Sequence, residues 1–253
     1  MIEKKCIWCL KSEHETDFFS KAHTIPKSLG GQNFNPNVCD VCNAYFGNRH
    51  EYNYSIEEAL KEAFNITRIR LRNRKSKRKV GRFKSKFFEV KERKGKYRLT
   101  VKPSFRFNSE FQTTLCRAFK RGLYKMFFEE LNRQKKVGFE KKYDLIRQFA
   151  RYDMGNLPVF YFERSVGIIV GTDTEYITPV LIFNRMTYLH STAGFEEIEF
   201  LGHVFGFPIT DYTPNTFKSY MEQSIRLKKE FFKGAILINR MTDVDIVLSV
   251  MNG

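Results

Sequence analysis

The chain has 253 residues, 42% of them hydrophobic and 26 of them Phe, with 44 Lys and Arg against 28 Asp and Glu for a formal net charge of +16. That apolar content supports a sizeable core, in one large domain or two small ones, and excludes general disorder. The charge points to a polyanionic partner, and the longest apolar stretches, 166–170 and 176–183, fall short of the roughly 18 residues that span a bilayer, so no membrane partner is expected.

Four cysteines organise the first 47 residues. Cys6-Ile7-Trp8-Cys9 and Cys39-Asp40-Val41-Cys42 are two C-x-x-C pairs separated by residues 10–38. No secretory signal follows the charged start Met1-Ile2-Glu3-Lys4-Lys5. The expectation is a cytoplasmic protein in a reducing compartment, where paired thiols favour metal over disulfide. Four thiolates close a tetrahedral zinc shell and leave no position for water, so this zinc is expected to be structural. Trp8, the single Trp, is expected to pack against that shell. Between the pairs lies Ala22-His23-Thr24-Ile25-Pro26-Lys27-Ser28-Leu29-Gly30-Gly31, and Asn43 follows the last Cys directly. A fixed imidazole beside an oxygen ligand suits metal-assisted phosphodiester cleavage.

Ser55 and Glu58 form a capping box at the start of a helix with Ile56, Leu60 and Phe64 at four-residue spacing, predicted to end near Asn65. Residues 68–98 then hold 16 Lys and Arg against Glu89 and Glu92. Such density binds phosphates and releases counterions. The candidate nucleic-acid contacts are Arg70, Arg72, Arg74, Lys75, Lys77, Arg78, Lys79, Arg82 and Lys84. Residues 86–103 read as a hairpin turning at Lys94-Gly95. A long amphipathic helix is predicted over 109–133, with Leu115, Phe119, Leu123, Phe127 and Leu131 on one stripe and Lys120, Lys125 and Glu129 between them. Cys116 in this helix reads as a small core residue. A second helix is predicted over 140–151 and strands over 159–162, 166–170, 176–188 and 195–205. Thr213 and Pro214 open a further helix, as N-cap and first residue, that should end near Gly234, with last strands over 235–239 and 244–250.

The order Cys-x-x-Cys, then a small residue with His-x-Ile-Pro-x-x-Leu-Gly-Gly, then Cys-x-x-Cys-Asn resembles the HNH endonucleases with a zinc-stabilised ββα-metal fold, over about residues 6–47. The resemblance implies that His23 is the general base that activates the attacking water. It implies that Asn43 coordinates a catalytic Mg2+ or Mn2+ ion through its side-chain oxygen. The family's middle Asn orients the His ring by a hydrogen bond. Asn33, Asn35 and Asn37 all lie in the matching loop, with Asn35 favoured and Asn37 next. Many members carry Asp or Glu just before the His as a further metal ligand. Here that residue is Ala22, with Glu51 or His50 as substitute donors.

The reading is an α+β protein with three parts: a zinc-containing HNH module over 1–66, a basic connector and hairpin over 67–104, and a mixed α+β domain over 105–253. The expected function is metal-dependent endonucleolytic cleavage, with double-stranded DNA as substrate, in bacterial or phage defence, restriction or homing. A homodimer or a partner subunit stays open. The rival readings are a non-catalytic zinc module that only binds nucleic acid, favoured by Ala22, and a subunit whose basic face docks an acidic protein.

Overall fold

A computed structural model describes residues 3–49, 54–71, 85–93, 96–165, 179–183, 188–192 and 194–244. The fold is α+β. A short hairpin of β1 (Ala22–His23) and β2 (Phe34–Asn35) is followed by α1 (Asp40–Gly47) and α2 (Ile56–Leu71). The capping box at Ser55 forms in both directions: Ser55 N–H donates to Glu58 Oε2 at 2.9 Å and Glu58 N–H to Ser55 Oγ at 3.1 Å. The helix runs on to Leu71, beyond the expected end at Asn65, because Ile66 to Leu71 contain no Gly or Pro to stop it.

Strands β3 (Phe88–Arg93) and β4 (Lys96–Val101) pair as the expected antiparallel hairpin. Asn108 then caps α3 (Ser109–Lys135) through its side chain. A short helix α4 (Asp144–Ile146) continues as a π-helical turn over Arg147–Arg151. The rest is an antiparallel sheet of β5 (Phe160–Arg164), β6 (Leu181–Phe183), β7 (Phe195–Phe200), β8 (His203–Pro208) and β9 (Phe232–Leu237), in the spatial order β6-β7-β8-β5-β9. Helix α5 (Pro214–Lys228) crosses back before β9 and is capped as expected by Thr213.

Further boundaries differ from expectation. The run 195–205 is two strands, because Leu201 and Gly202 both take positive φ (52° and 83°) and make the two-residue turn that reverses a twisted hairpin. Helix α5 stops at Lys228, and Gly234 lies within β9. The predicted strands at 166–170 and 244–250 fall almost wholly outside the described residues, as does most of 176–188.

The sheet is covered on both faces. Alternation sends Ile198, Phe200, Phe205 and Phe207 into one cluster with Phe119, Tyr124 and Phe127 of α3, and Phe160, Phe162, Phe195 and Val204 into another with Tyr220 of α5. The first cluster is continuous from Cys6 to Val244, so the N-terminal Cys-rich module, α2, α3 and sheet share one core. Helix α3 is its spine. Phe119 and Phe127 do point into this core. The structure corrects the amphipathic reading, however: Lys125 and Glu129 are fully buried, because α3 is packed against the sheet on one side and the N-terminal module on the other. Cys116 is buried as expected.

Candidate metal centre and active site

Residues 3–49 build the site from three local devices. The first is the pair of Cys knuckles. The four sulfur atoms of Cys6, Cys9, Cys39 and Cys42 all lie within 4.8 Å of one another, and Cys9 and Cys39 are 3.7 Å apart. A tetrahedron with Zn–S bonds of about 2.3 Å has sulfur edges of about 3.8 Å, so the donor set fits one zinc ion. Backbone bonds hold the knuckles in place: Leu10 N–H to the Cys6 carbonyl at 2.9 Å, Ile7 N–H to the Asn37 carbonyl at 2.8 Å, and Cys39 N–H to Cys6 Sγ at 3.4 Å. Hydrogen bonds from Cys42 and then Cys6 lower the Cys9 thiol, while the Cys42 thiol is raised by its bonds to Cys6 and Cys9 and by burial. Arg151 adds a donor from its Nε to Cys42 Sγ at 3.3 Å.

The second device is the β1–β2 hairpin. Its loop turns at Pro26, and Gly30 takes φ 98°. A Cβ on Gly31 would stand 1.9 Å from the Ile25 carbonyl oxygen, so this close approach requires glycine. Pairing sets Ala22 opposite Asn35 and His23 opposite Phe34. Ala22 and Asn35 face inward and are buried, whereas His23 and Phe34 share the outer face. Residue 22 therefore points into the core, on the opposite side of the strand from the His23 ring. Burial lowers the His23 imidazole below its ordinary value, and the charges of Lys125 and Lys27 add to this while Glu57 opposes it. The ring is neutral near pH 7, as a general base must be.

The third device is the start of α1. Asp40 accepts from the backbone N–H groups of Phe19 (3.2 Å) and Ser20 (2.8 Å) and from the Ser20 hydroxyl (2.6 Å), bonds that hold its carboxyl below the usual range. The Ser20 oxygen in turn accepts from Asn43 Nδ2 at 3.1 Å. That bond orients the Asn43 amide and leaves Oδ1 as its acceptor, an oxygen that suits a hard divalent cation. Ser20 is three residues before His23, so the same turn leads into the strand that carries the imidazole.

Asn35 does not take the place expected of it. Its Nδ2 donates to the Glu129 carbonyl at 2.9 Å, and its Oδ1 accepts from Asn37 N–H at 2.9 Å and Asn132 Nδ2 at 3.1 Å. The His23 Nδ1 is buried and has no partner among the described residues. Asn35 faces the core with Ala22, on the wrong side of the strand to reach the ring, and it ties the hairpin to α3 instead. Asn37 also turns away, donating to the Lys5 carbonyl at 3.2 Å. Trp8 packs between Phe46 and Phe128, with ring centroids 4.8 Å and 5.1 Å away, and its Nε1 donates to Glu129 Oε1 at 2.9 Å.

Residues 6–57 match the HNH endonuclease family model. The chain thus carries an HNH module at its N-terminus, with a possible zinc site formed by its four paired cysteines. No curated protein and no solved structure matches the chain. An HNH module implies a nucleic-acid substrate. The basic candidates Arg72, Arg74, Lys75, Lys77, Arg78, Lys79, Arg82 and Lys84 lie outside the described residues, as do His50 and Glu51, and Arg70 is described only as backbone of α2. Among the described residues no helix is long and apolar enough to cross a membrane.

One part of the site went unread in the sequence. Lys125 Nζ donates to the His23 carbonyl oxygen at 2.6 Å and pairs with Glu57 Oε1 at 2.8 Å and Glu129 Oε2 at 3.2 Å. The usable signal was the run Leu123, Tyr124, Met126, Phe127, Phe128. A helix apolar on every side is buried on every side, and so are the charges within it.

Proposed function

We propose that this chain is a metal-dependent endonuclease that hydrolyses phosphodiester bonds in double-stranded DNA. The observation that carries the reading is a partly exposed His23 on the first strand of an HNH module, framed by four cysteines whose sulfurs fit one zinc ion. His23 takes a proton from the attacking water. Asn43, its amide oriented by Ser20, offers Oδ1 to a Mg2+ or Mn2+ ion. When bound, that ion supplies stabilisation of the charge that builds on the phosphate and the leaving 3′ oxygen. The zinc ion is structural, and the basic residues of 68–98 hold the DNA backbone. Action within a reducing cell interior, in defence, restriction or homing, is consistent with paired free thiols.

Plasmid cleavage by wild type, His23→Ala and Asn43→Ala, with Mg2+, Mn2+ or EDTA, tests this. Metal-dependent nicking or linearisation is expected of wild type. It should fall by about 10²- to 10⁴-fold in His23→Ala, and Asn43→Ala should need more metal. A second reading, a module that binds nucleic acid without cutting it, is favoured by the inward-facing Ala22, which puts no acid beside His23. Inactivity of wild type and His23→Ala alike, with an intact gel shift, would establish that reading instead.

A further inference from the structure

Lys125 lies in the middle of α3, 102 residues from His23 and outside the segment that matches the HNH family. Its side chain is fully buried. Burying an ammonium costs several kcal/mol unless it is paired and hydrogen-bonded, so its partners decide what it is for. Two are carboxylates, Glu57 at the start of α2 and Glu129 one turn along α3. The third is the shortest contact of the set, the backbone carbonyl of His23 at 2.6 Å. Its aromatic neighbour is Phe46 of α1, whose ring centroid is 6.0 Å from Nζ. The ammonium thus stands where β1, α1, α2 and α3 meet, and its free donor direction is spent on the strand that carries the imidazole.

We propose that Lys125 is a positioning residue for the HNH site: its ammonium anchors the His23 carbonyl, and so fixes strand β1, while placing a permanent positive charge behind the imidazole. This rests on the reading of His23 as the general base. Two consequences follow from the geometry. Strand β1 is only two residues long, and its cross-strand bonds alone hold it weakly. A charge-assisted bond to a fully buried donor removes that slack. The fixed charge also disfavours a second positive charge on the ring. The groups acting on the ring come from the elements packed around it: Lys125 from α3, Lys27 from the loop after β1, Lys21 from the approach to β1, and Glu57 from α2, which opposes the three lysines. Burial lowers the His23 pKa most, and Lys125 is the next cause.

Lys125 and Glu57 act on the ring with opposite signs, and this makes the idea testable without any cleavage assay. The His23 imidazole is titrated by NMR in the zinc-loaded full chain of wild type, Lys125→Met, Lys125→Arg and Glu57→Gln, and the His23 carbonyl 13C shift is recorded alongside. The midpoint should rise in Lys125→Met, return toward wild type in Lys125→Arg and fall in Glu57→Gln. The carbonyl resonance should move in Lys125→Met alone. Cleavage by Lys125→Met should drop by roughly 10- to 100-fold, with its acid limb moved to higher pH in step with the midpoint. A folded, zinc-loaded Lys125→Met with unchanged midpoint and carbonyl shift overturns the proposal. Should Lys125→Met not fold, Glu57→Gln decides, because Glu57 is partly exposed and its loss leaves Lys125 paired with Glu129; a midpoint that stays or rises then overturns it. A protein that passes the NMR test but never cuts DNA retains the Lys125 anchor and loses the nuclease reading.

Discussion

Glu197 of β7 and Lys228 of α5 form a buried ion pair on the far face of the sheet, just as Lys125 and Glu129 do within α3. Their surroundings differ. Glu197 accepts from Lys228 at 2.6 Å, from Tyr220 Oη at 3.0 Å, from Ser224 Oγ at 2.9 Å and from His190 N–H at 2.7 Å. Those donors come from α5 and from His190 in the segment that leads into β7, and the pair closes on itself. Glu129 accepts from Trp8 on one oxygen, while its other oxygen has only the ion pair with Lys125 and no hydrogen bond of good geometry. Burial pushes its carboxyl up to about 7, against the pull of Lys125 and the Trp8 bond. Lys125, meanwhile, sends its best bond out of the pair to His23. A saturated buried pair holds elements together, whereas one that gives up a donor to a neighbouring strand transmits position to it.

The difference can be broken or sharpened in order of effect. Removing the metal strikes the N-terminal side first and should be largest: chelation of zinc should cost well over about 5 kcal/mol, seen as loss of the Trp8 fluorescence transition in urea. Next, Glu197→Ala strands Lys228 together with three further donors and should destabilise by about 3–5 kcal/mol in urea unfolding, at every pH near neutrality. Lys125→Met should cost less, about 2–3 kcal/mol at pH 7, because Glu129 can take up a proton; the loss should narrow toward acid. His203 gives a pH signature between the two regions. Burial, with Arg164 as the lesser cause, depresses its imidazole to about 4, and it bonds Thr67 of α2 at 2.9 Å and Tyr161 of β5 at 3.2 Å. Its neutral form therefore contributes stability above pH 6.5 that is lost as pH falls through 4, about 3 kcal/mol in all. His203→Gln should flatten stability over that window. Smallest is Thr213→Ala, which removes the cap of α5 and should lower stability by about 1 kcal/mol.

Local chemistry was legible in the sequence and distant packing was not. Four cysteines in paired spacing, Ser55 with Glu58, Thr213 with Pro214, and the pairing of β3 with β4 each carry their reason within a few residues, while the expected turn at residues 94 and 95 lies outside the described residues. His23 on β1 and Asn43 in α1 lie within that frame. Asn35 was misjudged because pairing opposite inward-facing Ala22 decides its direction, and no loop register could supply that. Lys125 was misjudged because three of its partners, His23, Phe46 and Glu57, come from elements distant in the sequence. The split at Leu201-Gly202 was announced by its glycine, but strand-forming residues on both sides of it concealed it.

The shared core around α3 also limits what can be cut from this chain. Excising residues 1–66 would bare Trp8 and Phe46, both buried against Phe128 or its neighbours, and would leave the Asn35 amide without Glu129 and Asn132. Such a fragment should aggregate even when loaded with zinc. A transplantable HNH module from this protein would have to carry the long helix with it.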